Sequence, residues 1–373
     1  MRFASQRFLA LLAVLTTVAL VSCVTAGARK PAPAPSKLAP HNAVFDLEQE
    51  GLKCLWRQEL GQLTDNRRLR DLYSTGPLVV VEAGGGEIHC LDADTGIWKA
   101  TTVMIDKLDA PPTALGDRLA LVVKNSVVLY DLATGAIDRP HPCGFPLTAQ
   151  PVSHKGVLYL AGGDGKIARL SPDERMPEWL VSLRGPIFSR PTIAGEHLLA
   201  ASPMGVVVWD TFKDRDRVRW SPKTGVRLSS GVAQVADRIY VGDDRGLLYS
   251  LDADTGEWLW QRIFDGPIRE DLRVVGTDLL VLTDNPSLIC LDAAGDRQQR
   301  WRVAGVTQVI SVGRNAVYAA MGPDRVVAIS RDTGEPLWSD TLPPDCRITG
   351  SEQGPTFFIA DTAGSIVAFT ELD

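Results

Sequence analysis

Short apolar runs, each closed by a Gly- or Asp-bearing turn, recur along the chain from about residue 70 to its end. Eight of them stand out: LVVVEA (78–83), RLALVV (118–123), VLYLAG (157–162), HLLAAS (197–202), RIYVGD (238–243), LLVLTD (279–284), AVYAAM (316–321) and TFFIAD (356–361). Each run is followed by a turn and a second apolar strand. The anchor residues of these second strands are Leu91, Tyr130, Leu170, Trp209, Leu251, Leu291, Ile329 and Phe369, with successive spacings of 39, 40, 39, 42, 40, 38 and 40. Short β-like runs at this spacing read as all-β. A period near 40 with four strands per unit predicts a β-propeller, here of eight blades. No sustained helical stripe interrupts the pattern.

The second strands lead into D-x-x-TG or a relative of it, most completely as LDADTG at 91–96 and 251–256. Aspartates at such a place accept hydrogen bonds from backbone N–H groups two residues on, and the glycine supplies a positive φ. A cation-binding reading of Asp-x-Asp fails on spacing. A calcium loop starting at Asp252 or Asp92 would need a bidentate Glu at its twelfth position, where Ile263 and Val103 stand. Of nine tryptophans, Trp98, Trp179, Trp220, Trp258, Trp260, Trp301 and Trp338 fall seven to eleven residues after an anchor, where a flat ring would pack between adjacent blades. The eighth unit ends at its anchor strand, while GLKCLWRQEL (51–60) reads like the missing outer strand, with Trp56 in the tryptophan place. The expectation is therefore an eight-bladed ring closed by an N-terminal strand, which removes open sheet edges.

The remaining sequence changes the picture mainly at the N-terminus. Residues 1–22 join a basic start (Arg2, Arg7) to an apolar run too short to span a bilayer, which reads as a secretory signal. Leu20-Val21-Ser22-Cys23 matches a bacterial lipobox, so Cys23 is the expected lipidation site, and acyl chains there would anchor the protein. Residues 23–43 are rich in Pro and Ala and read as a tether, leaving 44–373 for the propeller. Removing the signal takes two of 39 basic residues and no acids, leaving 37 against 45 and a net charge of −8. That acidity argues against nucleic acid as a partner. Five further cysteines (Cys54, Cys90, Cys143, Cys290, Cys346) show no C-x-x-C spacing. If closure brings the chain ends together, Cys54 and Cys346 are a candidate disulfide pair.

The fifth unit, RIYVGDDRGLLYSLDADTGEWLWQ (238–261), resembles the PQQ-type β-propeller repeat, and the likeness runs from 44 to 373. The third and fourth units depart most, with SPDERMPEW and DTFKDRDRVRW in place of the DTG turn. Eight such repeats behind a lipobox are similar to the propeller lipoproteins of the outer-membrane β-barrel assembly machinery. The resemblance implies a non-enzymatic, monomeric scaffold on the periplasmic side of the outer membrane, held there by its lipid. Its partner would be the barrel-assembly subunit, and no cofactor or metal is expected. Val24 fits this, because an aspartate after the lipidated cysteine would favour the inner membrane. Two alternatives stay open: a periplasmic propeller for a small molecule or another protein, and a quinoprotein-type dehydrogenase. Against the dehydrogenase, the chain lacks the vicinal Cys-Cys pair of those enzymes. It also has no G-x-S-x-G, no phosphate loop and no metal-ligand spacing among its histidines. Two regions are candidates for recognition. Asp71, Gln150, Arg190, Asp271 and Arg273 precede the apolar runs and should line the central channel. Lys213, Asp214, Arg215, Asp216 and Arg217 form a charged stretch expected as a long loop, where partner binding tends to sit.

Overall fold

The computed structural model describes residues 47, 51–60, 68–211, 215–220, 226–293, 298–352, 354–362 and 364–372, with backbone alone at 210 and 215–219. The expected signal, Cys23 and the tether lie outside these residues, as do Lys213 and Asp214.

The chain enters through β1 (Leu52–Glu59) and then builds the blades in order. Blade 1 is β2 (Leu69–Thr75), β3 (Leu78–Ala83), β4 (Glu87–Asp92) and β5 (Trp98–Val103). Blade 2 is β6 (Ala110–Leu115), β7 (Arg118–Val123), β8 (Ser126–Asp131) and a two-residue β9 (His141–Pro142). Blade 3 is β10 (Val152–His154), β11 (Val157–Ala161), β12 (Lys166–Leu170) and β13 (Glu178–Ser182). Blade 4 is β14 (Thr192–Ala194), β15 (His197–Ser202), β16 (Gly205–Asp210) and β17 (Arg215–Trp220). Blade 5 is β18 (Leu228–Val235), β19 (Arg238–Asp243), β20 (Leu247–Asp252) and β21 (Trp258–Ile263). Blade 6 is β22 (Arg273–Val275), β23 (Asp278–Thr283), β24 (Ser287–Asp292) and β25 (Gln299–Ala304). Blade 7 is β26 (Gln308–Val312), β27 (Ala316–Ala320), β28 (Arg325–Ser330) and β29 (Pro336–Thr341). Blade 8 is β30 (Arg347–Gly350), β31 (Phe357–Ala360) and β32 (Ser365–Glu371), with β1 as its fourth strand.

All eight sheets are antiparallel and four-stranded, and in the first seven the strand order follows the chain. The last reads β1-β32-β31-β30, with Cys54 opposite Phe369 and Glu59 opposite Ser365. Closure by the N-terminal strand therefore holds. The first strand of each blade is innermost, and β2 touches both β6 and β30. The second strands are buried on both faces because neighbouring blades cover them, so they read as continuous apolar runs and not as an alternation. Each interface between blades has its own apolar cluster. The one that closes the ring joins Leu72, Val79 and Val81 of blade 1 to Phe358, Ala360 and Ile366 of blade 8.

Alternate connections fall on opposite faces. The turns after first and third strands form one face, here called the turn face. The turns after second strands and the links between blades form the other, the link face. On the turn face the Asx geometry is visible atom by atom. The Asp252 carboxylate accepts from the backbone N–H of Asp254 (2.9 Å) and Thr255 (2.7 Å) and from the Thr255 hydroxyl (2.9 Å). Gly256 follows at φ +70°.

The outer-strand tryptophans divide. Trp56 Nε1 donates to the Ala93 carbonyl at 2.9 Å, and its ring lies over Gly96, where a Cβ would come within 2.5 Å of it. Trp301 repeats this on blade 7, donating to the Arg331 carbonyl at 2.7 Å and covering Gly334. Trp260 is also buried. Trp179 and Trp258 depart from the expectation, at 46% and 55% exposed. For Trp258 the cause is a bulge: Trp258 opposes Leu251 while Trp260 opposes Ser250, so the two tryptophans do not share a face.

The Cys54–Cys346 pairing is overturned, since no disulfide joins the five described cysteines. Cys54 sits on the outermost strand of blade 8 and Cys346 just ahead of the innermost, with β31 and β32 between them. Three strand spacings, about 14 Å, exceed the reach of a disulfide.

Candidate functional site

The innermost strands and the links that feed them form the wall of the channel, and the channel is where polar side chains converge. Links 109–111, 148–150, 188–190 and 269–271, entering blades 2, 3, 4 and 6, enclose a cavity of about 320 Å³ at the link face. Backbone-directed bonds stitch this wall from each blade to its neighbour and so fix it. The Thr148 hydroxyl donates to the Ile187 carbonyl (2.6 Å), Gln150 Nε2 to the Pro112 carbonyl (3.0 Å) and the Ser229 hydroxyl to the Ile268 carbonyl (2.6 Å). The partners lie 38 or 39 residues apart, one repeat, so the contact belongs to the repeat itself.

Three of the five residues expected in the channel, Gln150, Arg190 and Asp271, line this cavity together. Arg273 stands two residues further along, on β22, and donates to the Ile310 carbonyl of blade 7 at 3.2 Å. Asp71 lies on β2 in blade 1, where its carboxylate accepts from the Leu72 N–H, and it is not among the cavity residues. Sequence reading missed Phe188, Arg269 and Glu270, which also line the cavity. Only their neighbourhood to positions of the repeat could have flagged them.

Glu352 was missed as well. It sits in the turn between β30 and β31, longer than the other first-strand turns, and pairs with Arg190 at 2.5 Å. Blades 4 and 8 are opposite members of the ring, so this ion pair crosses the channel. The cavity residue Arg269 pairs with Asp284. Asp271 is open to channel water. Yet enclosure by the wall, and then the neighbouring Glu270 charge, hold its carboxyl above the usual range against the pull of Arg190 and Arg273. Burial likewise lowers the pKa of Arg273.

These groups decide the cofactor question that the repeat's name raises. A pyrroloquinoline quinone carries carboxylates and would need uncommitted cationic donors. Here Arg190 and Arg269 pair with Glu352 and Asp284, the free Arg190 Nε is buried away from the cavity, and Asp109, Glu270 and Asp271 supply negative charge. Among the described residues no cluster of three or more His, Cys, Asp or Glu side chains is arranged to hold a metal. The cavity does not fit the quinone.

The charged stretch of blade 4 is not a loop along its full length. Arg215, Asp216 and Arg217 open β17, with Arg215 opposite Asp210 and Asp216 opposite Trp209. The alternating charges thus lie on an outer edge strand, a place where charge keeps sheet edges from pairing.

Against known proteins, the family model for the outer membrane protein assembly factor BamB matches residues 203–370. The BamB of Burkholderia pseudomallei is 24% identical over 313 residues, covering 74% of this chain and 80% of the relative. That of Yersinia pestis is 25% identical over 182 residues, 44% of this chain, and the match spans under half (45%) of the relative's length. Among solved structures, the crystal structure of BamB from Moraxella catarrhalis superposes with a TM-score of 0.51 at 16% identity, covering 86% of this chain and 97% of that one. The computationally designed Ika8 protein gives 0.66 at 14% identity, over 84% and 99%. At such identities the structural likeness speaks for the propeller alone. Repeat spacing, blade topology and these matches agree: the chain is an eight-bladed β-propeller whose repeats resemble the PQQ type and which is similar to the outer membrane protein assembly factor BamB.

Proposed function

We propose that this protein is a lipid-anchored, non-enzymatic scaffold of outer-membrane β-barrel assembly. It would be tethered through Cys23 to the periplasmic face of the outer membrane and would bind the barrel-assembly subunit. The supporting observation is the likeness to an assembly factor that covers 74% of this chain. The contact region is the charged stretch from Lys213 to Arg217, of which Arg215, Asp216 and Arg217 open the outer edge strand of blade 4. It replaces the repeat's DTG turn and leads into the edge strand β17. Edge strands and irregular turns on a rigid scaffold are suited to strand or loop docking.

The test is crosslinking in intact cells followed by gentle solubilisation and mass spectrometry of co-purified proteins. Recovery of a large outer-membrane barrel protein with soluble repeat domains is expected, reduced at least tenfold by Arg215→Glu with Arg217→Glu, on the order of one lost charge-pair set. Absence of any barrel protein in the wild-type crosslinks would refute the reading. Cys23→Ala should release the protein from the membrane fraction.

A further inference from the structure

The cavity at the link face has a chemistry that the scaffold reading does not use. Four of its donor side chains already have partners: Arg190 pairs with Glu352 and Arg269 with Asp284, Gln150 Nε2 donates to the Pro112 carbonyl and Thr148 Oγ1 to the Ile187 carbonyl, while Arg190 Nε stays buried without a partner. Its acceptors are not matched in the same way. Glu270 is exposed and lines the cavity, and Gln150 retains its amide oxygen. Asp271 is held through the backbone N–H of Gly231 and keeps further lone pairs.

Charge points the same way. Five carboxylates (Asp109, Glu270, Asp271, Asp284, Glu352) meet three guanidinium groups (Arg190, Arg269, Arg273) in and around the cavity, leaving two negative charges. At the mouth, Phe188 holds an aromatic ring 67% exposed to water. A ring beside an acceptor-rich, net-negative well is suited to an ammonium group on an aliphatic stem. The ring covers the stem or the cation, and the carboxylates take the N–H donors.

We infer that the link-face end of the channel is a binding site for organic ammonium groups, with Glu270, Asp271 and the Gln150 amide oxygen as acceptors and Phe188 as the apolar wall. The Arg190–Glu352 pair crosses the channel beside it. The ammonium could be carried by a free polyamine or by a lysine side chain of a protein segment laid across the mouth. This site is independent of blade 4's outer edge, so it stands or falls apart from the scaffold reading.

Titration calorimetry on the full chain at low ionic strength tests it with three probes: spermidine, an acetyl-lysine-amide tripeptide, and the same tripeptide with norleucine in place of lysine. Saturable binding of at least one of the two cations is expected, with Kd on the order of 0.1–1 mM. The norleucine peptide should bind at least about tenfold more weakly, and salt should weaken the cation. Binding of spermidine alone would assign the site to free polyamines, and binding of the lysine peptide would assign it to a protein side chain. Glu270→Gln should weaken the cation by about tenfold. Glu270 is exposed, so that variant keeps the fold, which an unchanged melting curve will show. Asp271→Asn should act in the same direction, and Phe188→Ala should weaken the tripeptide by a few-fold. No saturable binding of either cation up to about 10 mM would overturn the inference. So would binding that is unchanged in Glu270→Gln or equal for the norleucine peptide.

Discussion

The contact between Trp56 and Gly96 closes the ring side to side, and its strength can be worked out. Trp56 is 9% exposed, with its Nε1 hydrogen bond to blade 1 and its ring 5.8 Å from that of Phe358. A tryptophan burying about 200 Å² at about 25 cal/mol per Å² contributes at most about 5 kcal/mol, and measured Trp→Ala losses in cores run about 3–5 kcal/mol. Trp56→Ala should therefore cost about 4 kcal/mol. Gly96 stands at φ +67°, and an added Cβ would meet the Trp56 ring at 2.5 Å. Gly96→Ala combines a left-handed backbone cost of about 1–2 kcal/mol with overpacking of about 1–3 kcal/mol, about 3 in all. With the ring removed, the overpacking disappears and only the backbone cost remains. The double variant should lose about 5 kcal/mol, not 7, a coupling of about 2 kcal/mol. The assay is a double-mutant cycle by urea unfolding. Thermal scans should agree: a melting entropy of about 0.7 kcal/mol per kelvin for some 320 residues converts 4 kcal/mol into a drop of about 6 °C. Additivity within about 0.5 kcal/mol would refute the stacked geometry, because only non-contacting sites add. Trp56→Phe, which keeps the ring and loses the N–H bond, should cost about 1 kcal/mol.

Further outcomes follow from other contacts. Backbone and hydroxyl hydrogen bonds from Thr255 hold the Asp252 carboxyl below the usual range, so it stabilises the fold above the ordinary aspartate pKa and loses that contribution as pH falls through its folded value. The melting-temperature gap between wild type and Asp252→Asn should be constant at neutral pH and shrink below about pH 4. The Arg190–Glu352 pair has side chains 25% and 34% exposed, so Arg190→Met should change stability by no more than about 1 kcal/mol. It should nonetheless accelerate amide exchange around Glu352, read by mass spectrometry. Exposed Cys54 should react with maleimide in the native protein, while Cys90, Cys143 and Cys290 should react only in denaturant, as peptide mapping will show.

The repeat was legible because one period governs both sequence and contacts. The run at 78–83 is β3 and that at 238–243 is β19, residue for residue. Trp56 in the tryptophan place signalled the closing strand correctly. Counting residues failed where a bulge breaks the alternation: Trp258 and Trp260 carry the same sequence signal, yet one is exposed and the other buried. It failed again where partners come from opposite blades. Glu352 lies 162 residues from Arg190, and no local pattern announces a link that crosses a channel. The Cys54–Cys346 expectation erred because closure joins β1 to β32, the outer side of the blade, while Cys346 lies at the inner side.

The composite last blade also sets the order in which this chain can finish folding. Seven blades can pair their strands from neighbours within a few tens of residues, so each can form as the chain emerges. The pairing of Cys54 with Phe369 brings together residues more than 300 positions apart. For an otherwise unfolded chain, joining such ends carries a length-dependent entropy of about 5 kcal/mol. Blades already folded shorten the effective loop and lower that barrier, so closure should come last and be the slowest step. Until then β32 offers a bare edge to any extended strand, including β1 of a second molecule. A chaperone that shields this edge, or a high local concentration that exposes it, would decide between a closed monomer and a strand-exchanged dimer.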